Sequence, residues 1–370
     1  MDVYNMCAPC LFGLESIAGD ELKRIGMQDV RVENGRVLFS GDASDVARAN
    51  IRLRTAERVL IKIGGFKALS FDELFEGTKA LDWEAFIPED GEFPVKGHSL
   101  GSKLASVPDC QKIIKKAVAE RLKSRYNKSW FEESGAKYQI QFSIMKDTAE
   151  LFIDTSGAGL HKRGYRAVGN EAPLRETLAA AMVSLSRYRG REEFCDPFCG
   201  SGTIAIEAAL AAVNRAPGLN RAFSAQQWPQ LDKKIWEAAT DEARSLEYSG
   251  SYNIWGGDID PKAVEIAKSN AQKAGVGEHI RFSVSDAVKF ERQTPGGIIV
   301  TNPPYGERLM DKEEAERLYR GFGKSAVKLD RWKIYLLSSH EEFEKEFGKK
   351  AVKKRKLYNG MIKCGLFMYY

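Results

Sequence analysis

The sequence predicts an α/β fold in which a mostly parallel, doubly wound sheet follows a smaller α+β region. The main observation is that apolar strand-like runs and amphipathic helical stretches alternate from Glu193 onward, as they do in chains of βαβ units. Near the carboxyl end, Asn359-Gly360 joins two apolar runs with a dipeptide that suits a two-residue hairpin. A hairpin at this point predicts an antiparallel strand at the edge of the otherwise parallel sheet.

The chain of 370 residues has room for two or three domains. Its net charge of +5 is too small to identify a partner, and its six scattered cysteines lack the spacing of a disulfide framework. Cys7-Ala-Pro-Cys10 is a lone C-x-x-C without a second pair, so we expect no metal there. No window approaches the ~20 apolar residues of a membrane span. The amino terminus shows no export signal, so we expect a cytoplasmic protein.

The first 65 residues show the order β-α-β-β-α-β, which is that of a ferredoxin-like domain. A strand-like run and a helical pattern closed by Gly26 come first. Two short alternating runs then flank Asn34-Gly35 and predict a hairpin. A second helix begins near Asp42, and Val59–Ile63 supplies the last strand, before a boundary predicted at Gly64-Gly65.

Residues 66–160 separate their charges along the chain. Acidic side chains dominate from Phe71 to Glu92, and basic ones from Lys96 to Lys128. Apolar spacing predicts a helix from Asp109 to about Tyr126 with its basic residues on the outer face. Such a face is often only solvated, but it could also bind phosphates. The candidate contacts on it are Lys112, Lys115, Lys116 and Arg121.

The join between the two halves of the chain, His161-Lys-Arg-Gly-Tyr-Arg166, is basic and aromatic. It follows two alternating runs, 138–145 and 150–154, that predict strands. It precedes Ala172-Pro173, where a proline predicts the start of an alanine-rich helix. Nucleic acid could cross the molecule here, although a solvated linker also fits the pattern. The candidate contacts are Lys162, Arg163 and Arg166.

A glycine turn opens the doubly wound part. The strand Phe194–Phe198 leads into Cys199-Gly-Ser-Gly202 and then into a helix from Thr203. Glycines let the backbone approach a ligand closely, and the amino end of the helix favours an anionic group such as an amino acid carboxylate. The turn has only two of the glycines found in dinucleotide-binding proteins. Asp196 is placed to accept a hydrogen bond from a ligand amine.

Two further acids end neighbouring strands. Ile254–Asp258 places a carboxylate where doubly wound folds hydrogen-bond a ribose. Ile280–Val284 leads to Asp286, where an acceptor could take an adenine amine. Asp260 is better explained as the cap of a helix that begins at Pro261. Each acid alone would be an ordinary strand-end residue, but acids and a glycine turn at successive strand ends predict a ligand site.

An apolar run from Ile298 stops at Asn302-Pro303-Pro304-Tyr305 and predicts a buried strand that opens into a loop. Because neither proline has an N–H, this turn presents carbonyl oxygens and the Asn302 amide oxygen as acceptors. Two acceptors could draw the exocyclic amine of a nucleobase toward tetrahedral geometry and aim its lone pair at an electrophile. Tyr305 could stack on the base, so that catalysis would depend on positioning and electrostatics.

The remaining segments complete the predicted sheet. A helix near Glu313–Lys328 and a strand from Lys333 to Ser338 precede the terminal hairpin. Residues 214–252, with Trp228-Pro229 and an amphipathic helix, interrupt the regular alternation. The sequence offers no reason for this insert.

Four motifs together resemble those of class I S-adenosylmethionine-dependent methyltransferases that modify amines. They are Asp196-Pro-Phe-Cys-Gly-Ser-Gly202, Gly257-Asp258-Ile-Asp-Pro261, Ser285-Asp286 and Asn302-Pro-Pro-Tyr-Gly-Glu-Arg-Leu309. With residues 161–166 and the preceding half, the chain resembles THUMP-containing RNA methyltransferases, and most of all the guanine-N2 methyltransferase half of the RlmL type. The resemblance is strong over residues 161–309 and looser before them.

The resemblance implies a ferredoxin-like domain over 1–65, a THUMP domain over 66–160 and a methyltransferase domain over 161–370. It implies S-adenosylmethionine as cofactor, with the methionine end near the glycine turn, the ribose at Asp258 and the adenine at Ile259 and Asp286. The full implied cofactor set is Asp196, Pro197, Gly200, Gly202, Asp258, Ile259, Asp286 and Asn302. The implied catalytic set is Asn302, Pro303, Pro304 and Tyr305. RNA, above all large-subunit ribosomal RNA, would be the partner, without a membrane and without a metal.

The resemblance leaves the target open, since relatives with the same tetrapeptide methylate adenine, cytosine or glutamine amides. A DNA adenine-N6 methyltransferase also fits the motifs, and a non-catalytic RNA-binding assembly factor fits the domain order. The sequence identifies neither the methylated nucleotide nor the oligomeric state, and it does not distinguish free RNA from a ribosomal particle as substrate.

Overall fold

The computed structural model describes residues 3–166, 174–305 and 311–370. Its first half contains β1 (Tyr4–Pro9), α1 (Glu15–Arg24), β2 (Gln28–Glu33), β3 (Arg36–Gly41), α2 (Ala43–Arg52), β4 (Leu60–Lys67), α3 (Phe71–Lys79), β5 (Val95–Leu100), α4 (Val107–Tyr126), β6 (Ile140–Met145) and β7 (Thr148–Asp154). Its second half contains α5 (Glu176–Ser186), β8 (Glu193–Asp196), α6 (Thr203–Ala212), α7 (Lys233–Ser245), β9 (Ile254–Asp258), α8 (Pro261–Ala274), β10 (Ile280–Val284), β11 (Gly297–Thr301), α9 (Lys312–Ala326), β12 (Trp332–Ser338), α10 (Phe343–Phe347), β13 (Lys353–Asn359) and β14 (Ile362–Tyr369). None of the helices in these ranges is long and apolar enough to cross a membrane.

The first sheet has the strand order β2-β3-β1-β4-β7-β6-β5. The order β1-α1-β2-β3-α2-β4 confirms the predicted ferredoxin-like arrangement, and Asp42 caps α2 through a reciprocal bond pattern with Asp45. β4 does not stop at the predicted boundary: it runs through Gly64 and Gly65 and pairs with β7 across a bulge. The regions predicted as two amino-terminal domains therefore share one continuous sheet.

Several of the charged side chains of residues 66–160 form ion pairs with one another. Arg121 on α4 places Nη2 2.7 Å from Glu84 Oε1, and Lys128 Nζ lies 2.5 Å from Glu89 Oε2. The acidic stretch, which contains α3, therefore neutralises part of the basic helix. No sequence prediction covers β5, because its glycine, histidine and lysine lack strand propensity. β5 becomes a strand through its parallel pairing with β6.

The second sheet has the order β10-β9-β8-β11-β12-β14-β13. β8 to β12 are parallel, whereas β14 is antiparallel to both of its neighbours. This confirms the predicted doubly wound sheet. The antiparallel strand was expected at the edge, but β14 lies one strand inside and β13 forms the edge. Chain order reverses between β8 and β11, which is where doubly wound sheets bind ligands. The predicted helix start at Ala172-Pro173 lies outside the described residues.

The insert of residues 214–252 packs against the first half of the chain. Trp228 stacks on Tyr138 with ring centroids 4.8 Å apart, and its indole N–H donates to the Lys137 carbonyl at 3.0 Å. α7 lies along α2, where Arg48 Nε is 3.1 Å from Glu242 Oε2. The insert is therefore the part of the second half that buries its aromatic side chains in the core of the first sheet.

Candidate active site

The predicted cofactor residues meet at the carboxyl edge of the second sheet. The Gly200 N–H donates to Asp258 Oδ2 at 2.9 Å, and the Cys199 N–H donates to the Gly257 carbonyl at 2.8 Å. The Ser285 N–H donates to the Asp258 carbonyl at 2.9 Å. These bonds tie the ends of β8, β9 and β10 together, so the three motifs that follow those strands surround one place.

Each of the two positions in the turn is occupied by glycine for a different physical reason. Gly202, with φ of 83°, precedes α6, and a Cβ there would lie 2.9 Å from the Ala267 Cβ atom. Gly202 is therefore required for packing against α8. Gly200, with φ of 49°, has no described atom within 4 Å of the position of an added Cβ. Its backbone faces open space at the amino end of α6, which is where an anionic ligand group can approach.

The acids at the ends of β9 and β10 hold the local backbone. Asp258 Oδ1 accepts from the Asp260 N–H at 3.0 Å, and Asp286 Oδ1 accepts from the Val288 N–H at 3.0 Å. Asp260 accepts from the Lys262 N–H and caps α8, as predicted. Ile259 is 71% exposed between these acids, so an apolar surface stands beside two carboxylates.

Asp196 is buried at the end of β8 with 1% of its surface exposed. The Thr301 hydroxyl donates to Asp196 Oδ1 at 2.6 Å, and the Phe198 N–H donates to the same oxygen at 3.3 Å. Burial raises the pKa of the Asp196 carboxyl to about 7, although these two hydrogen bonds oppose the shift, and the Asp258 carboxylate adds a smaller increase. This acid is therefore partly protonated near neutral pH.

We expect Asp196→Asn to stabilise the protein more at high pH than at low pH. The pKa of Asp196 is about 7 in the folded protein and 3.8 ordinarily. The free energy of unfolding of the wild type therefore falls as the pH rises from about 4 to about 7, and this group causes no further loss above that range. The asparagine keeps an acceptor for Thr301 and does not ionise. Its stability relative to the wild type should rise by on the order of 2 kcal/mol between about pH 5 and about pH 8. Urea denaturation measures this difference, and a difference independent of pH would contradict it. Asp330→Asn, at an exposed site, is the control.

The turn after β11 lies beside the glycine turn. Thr301, the last residue of β11, makes the bond to Asp196 described above, so the Asn302 turn begins where the β8 strand ends. The Tyr305 hydroxyl donates to Asn302 Oδ1, and the Tyr319 hydroxyl of α9 donates to the Pro304 carbonyl at 2.6 Å. The amide oxygen of Asn302 is thus held in place, and its second lone pair can accept from a ligand.

Tyr305 has its ring against the core cluster between α5, α6 and the terminal hairpin. Its phenol lies near Cys364 and Asn359, and burial raises the pKa of the Tyr305 hydroxyl well above its ordinary value. Stacking on a base would require this side chain to turn outward, and that role stays a prediction. The motif residues Gly306 to Leu309 lie outside the described residues.

Three side chains that support the site were not predicted. Thr301 joins two strand ends, Tyr319 holds the proline turn, and Asn270 of α8 donates to the Ser201 carbonyl at 3.0 Å. Thr301 could have been predicted, because it places a hydroxyl at the end of an otherwise apolar strand. Tyr319 and Asn270 lie within amphipathic helices, where the sequence pattern does not distinguish them from other buried residues.

Some of the predicted nucleic-acid contacts are engaged within the protein. Lys115 Nζ lies 2.6 Å from Glu133 and 3.6 Å from the Phe93 ring centroid, and Arg121 pairs with Glu84. Arg166 donates to Thr203 Oγ1 at 2.8 Å and pairs with Glu176 at 3.0 Å. These cations are therefore only partly available to a phosphate.

The structure corrects the prediction that Arg163, in the join, contacts nucleic acid. Only 3% of its surface is exposed, and its guanidinium reaches Glu207 of α6 at 3.3 Å and the Arg54 carbonyl at 2.5 Å. A buried guanidinium paired in this way cannot contact RNA, and it ties the join to both halves instead. Lys112, Lys116 and Lys162 are exposed.

The residues at this edge fit S-adenosylmethionine. That molecule carries a carboxylate, an amine, a ribose and an adenine, and the edge offers a helix amino end, the Asp196 carboxyl and the Asp258 carboxylate. Ile259 offers an apolar surface for a ring, and Asp286 offers an acceptor for an exocyclic amine. The open space at Gly200 leaves room for a ligand backbone to lie against the turn.

Comparison with known proteins agrees with this geometry. Residues 163–367 match the family described as "RMKL-like, methyltransferase domain", residues 5–60 match "RlmL ferredoxin-like domain", and residues 68–154 match "THUMP domain". "Putative RNA methyltransferase YpsC" of Bacillus subtilis (strain 168) is 47% identical over 373 residues, which cover 100% of this chain and 97% of that protein.

Two further relatives extend the comparison. "Ribosomal RNA large subunit methyltransferase K/L" of Psychromonas ingrahamii is 34% identical over 372 residues, which cover 98% of this chain. They cover 49% of that protein, so this chain spans about half the length of the K/L relatives. The crystal structure of SMU.472, "a putative methyltransferase complexed with SAH", has a TM-score of 0.94 and 40% identity, with 100% of this chain and 98% of that chain covered.

These matches confirm the predicted family, fold class and cofactor. SAH is what S-adenosylmethionine becomes when its methyl group is transferred, and it is bound in a structure that superposes along the whole chain. The chain belongs to the RMKL-like methyltransferase family, with the ferredoxin-like and THUMP domains of the RlmL type, and it is a class I methyltransferase that uses S-adenosylmethionine.

Proposed function

We propose that the protein methylates the exocyclic N2 amine of a guanosine in RNA, most specifically in large-subunit ribosomal RNA. The observation that carries this proposal is the 2.6 Å bond between Thr301 and Asp196. Through it, an acceptor turn suited to an exocyclic amine begins beside the turn suited to the methionine end of the methyl donor. The THUMP match and the names of the relatives support RNA as the substrate.

The protein promotes methyl transfer mainly by positioning the target amine against the methyl group of the donor. Bound S-adenosylmethionine supplies a methyl group made electrophilic by its sulfonium. Asn302 Oδ1 and the Pro303 carbonyl accept the two hydrogens of the target amine and so direct its lone pair toward the methyl carbon. With that donor bound, an N–C bond would form as the donor's S–C bond breaks, and the methylated amine would then release one proton to solvent. Tyr305 contacts the base once its ring has turned outward.

The amino-terminal regions present the RNA. We propose that residues 1–65 and 66–160 act as one unit, because β4 and β7 join them in a single sheet. Lys112 and Lys116 on α4 and Lys162 in the join are the proposed phosphate contacts, since they are exposed. A base within a duplex cannot reach the Asn302 turn, so the target nucleotide is unpaired or leaves its stack. With a substrate of this kind, the proposed location of the protein is the cytoplasm.

Methyl transfer to unmodified RNA tests the proposal. Purified protein is incubated with labelled S-adenosylmethionine and with either large-subunit ribosomal RNA lacking its methyl groups or DNA, and the product is digested to nucleosides. We expect label in N2-methylguanosine from the RNA only. Label in N6-methyl-2′-deoxyadenosine from DNA would instead establish the DNA adenine methyltransferase. Binding of RNA and cofactor without any transfer would establish the assembly factor.

A further inference from the structure

The terminal hairpin, β13 with β14, is the most one-sidedly charged segment of the chain. Residues 353–369 contain four lysines and one arginine and no aspartate or glutamate. Lys354 pairs with Glu344 of α10, and Arg355 donates to the Gly13 carbonyl at 2.5 Å. Lys356 and Lys363 are exposed, and within the described ranges neither has a carboxylate within 4 Å. Lys353 is also exposed but lies at the far end of β13, so the two cations near the turn that are free to bind an anion are Lys356 and Lys363.

The turn of this hairpin stands at the catalytic edge of the sheet. β14 runs antiparallel to β12 with Ser338 opposite Gly365, so β14 begins where the parallel strands end. β13 ends at the same edge, since Asn359 is opposite Ile362. The Tyr305 phenol lies near Asn359 and Cys364. The hairpin turn and the Asn302 turn are thus neighbours in space.

Apolar side chains accompany the two lysines. Met361, in the turn, is 97% exposed, and Tyr358 is opposite Lys363 across the hairpin. Lys356 Nζ lies 5.2 Å from the centroid of the Tyr358 ring. A solvated charged face would account for the lysines alone. A single exposed apolar side chain is ordinary on a protein surface, and Met361 matters here because it stands in the hairpin turn next to the Asn302 turn.

We infer that the β13–β14 hairpin binds the RNA strand beside the target nucleotide, with Lys356 and Lys363 on phosphates and Met361 against the base next to the target. Phosphates complement the unpaired positive charge, and the faces of bases complement the exposed apolar groups. When the target base leaves its stack, an apolar side chain can fill the space that it vacates. This inference rests on the proposed function and adds the surface that holds the strand at the site.

The lysines are tested by the salt dependence of RNA binding. In the full-length protein, Lys356→Ala with Lys363→Ala is compared with Lys349→Ala with Lys350→Ala, which removes the same charge from the segment before β13, at the opposite edge of the sheet. The slope of log K against log salt is negative, and each lost contact to single-stranded phosphate reduces its magnitude by about 0.7. We expect the Lys356→Ala, Lys363→Ala variant to reduce the magnitude of this slope by about 1.4 and to lower the affinity for RNA by about tenfold at moderate salt. We expect the second pair to leave both near the wild-type values.

The role of Met361 is tested by comparing RNA substrates in which the target guanosine is paired with substrates in which it is unpaired. Met361→Ala should lower kcat by about tenfold on RNA whose target guanosine is paired, and should have little effect when that guanosine is unpaired. Val352→Ala, an exposed apolar residue just before β13, is the matched control and should change neither rate.

Failure of this inference can be told apart from failure of the proposed function. If the wild type methylates RNA and the Lys356/Lys363 variant binds RNA with the slope and affinity of its control, the hairpin does not hold the strand. If the wild type transfers no methyl group to RNA, the proposed function fails. Equal affinity of S-adenosylmethionine for all variants shows that they are folded at the cofactor site.

Discussion

Asn302→Ala is expected to lower kcat for methyl transfer by about 100- to 1,000-fold, the usual effect of removing one positioned hydrogen-bonding group from a transition state. The substitution removes the side-chain oxygen proposed to accept from the target amine, which accepts from the Tyr305 hydroxyl in this structure. Without it, the lone pair of the target amine stays delocalised in its ring and is not aimed at the methyl group. Single-turnover transfer of labelled methyl to RNA measures the change.

Cofactor binding separates this effect from a general loss of structure. Asn302→Ala should change the Kd for S-adenosylmethionine by less than about tenfold, because the other contacts proposed for the cofactor come from β8, β9 and β10. Asn34→Ala, in the exposed turn between β2 and β3, makes the same chemical change far from the site and should transfer methyl at the wild-type rate. Equal turnover by the two variants would reject the proposed acceptor.

Asp258→Ala is expected to weaken S-adenosylmethionine binding by about 100-fold, which corresponds to roughly 3 kcal/mol. The carboxylate accepts from the Gly200 and Asp260 N–H groups, so the substitution releases the glycine turn and also removes the acceptor proposed for the ribose. Isothermal titration calorimetry with S-adenosylmethionine measures the loss.

Asp330→Ala is the matched control, since its side chain is 91% exposed and is remote from the carboxyl edge of the sheet. It should bind the cofactor with the wild-type Kd. Thermal unfolding of both variants without cofactor shows how much of the effect is structural. An unchanged Kd for Asp258→Ala would mean that the ribose is held by other residues.

Local patterns predicted most of the second sheet. The strands β9 and β10 have the predicted bounds, because short apolar runs end at turn residues on both sides. α8 begins at the predicted Pro261 with Asp260 as its cap. The predicted terminal hairpin also forms, but its two-residue turn is Gly360-Met361 rather than the predicted Asn359-Gly360, since Asn359 is opposite Ile362. In each case the signal lies within a few residues of the element, so no knowledge of distant contacts is needed.

The predictions for charged residues were less accurate. Arg121 and Arg163 belong to basic stretches of the sequence, yet the fold pairs one with Glu84 and buries the other against Glu207. A guanidinium has the same local pattern whether its partner is a phosphate or a carboxylate from elsewhere in the chain. For that reason, the basic stretches of the sequence overstated the number of cations free to bind a phosphate, and the sequence did not show the position of the terminal hairpin.

By itself, the sequence determined the alternation of strands and helices, the glycine and proline turns and the acids at the strand ends, because these depend on short-range conformational preference. The tertiary structure alone decided that β4 joins two regions into one sheet, that residues 214–252 pack on the first half, and that the hairpin turn stands beside Asn302. These arrangements depend on pairing and burial between residues far apart in the chain, for which a single sequence carries no local signal.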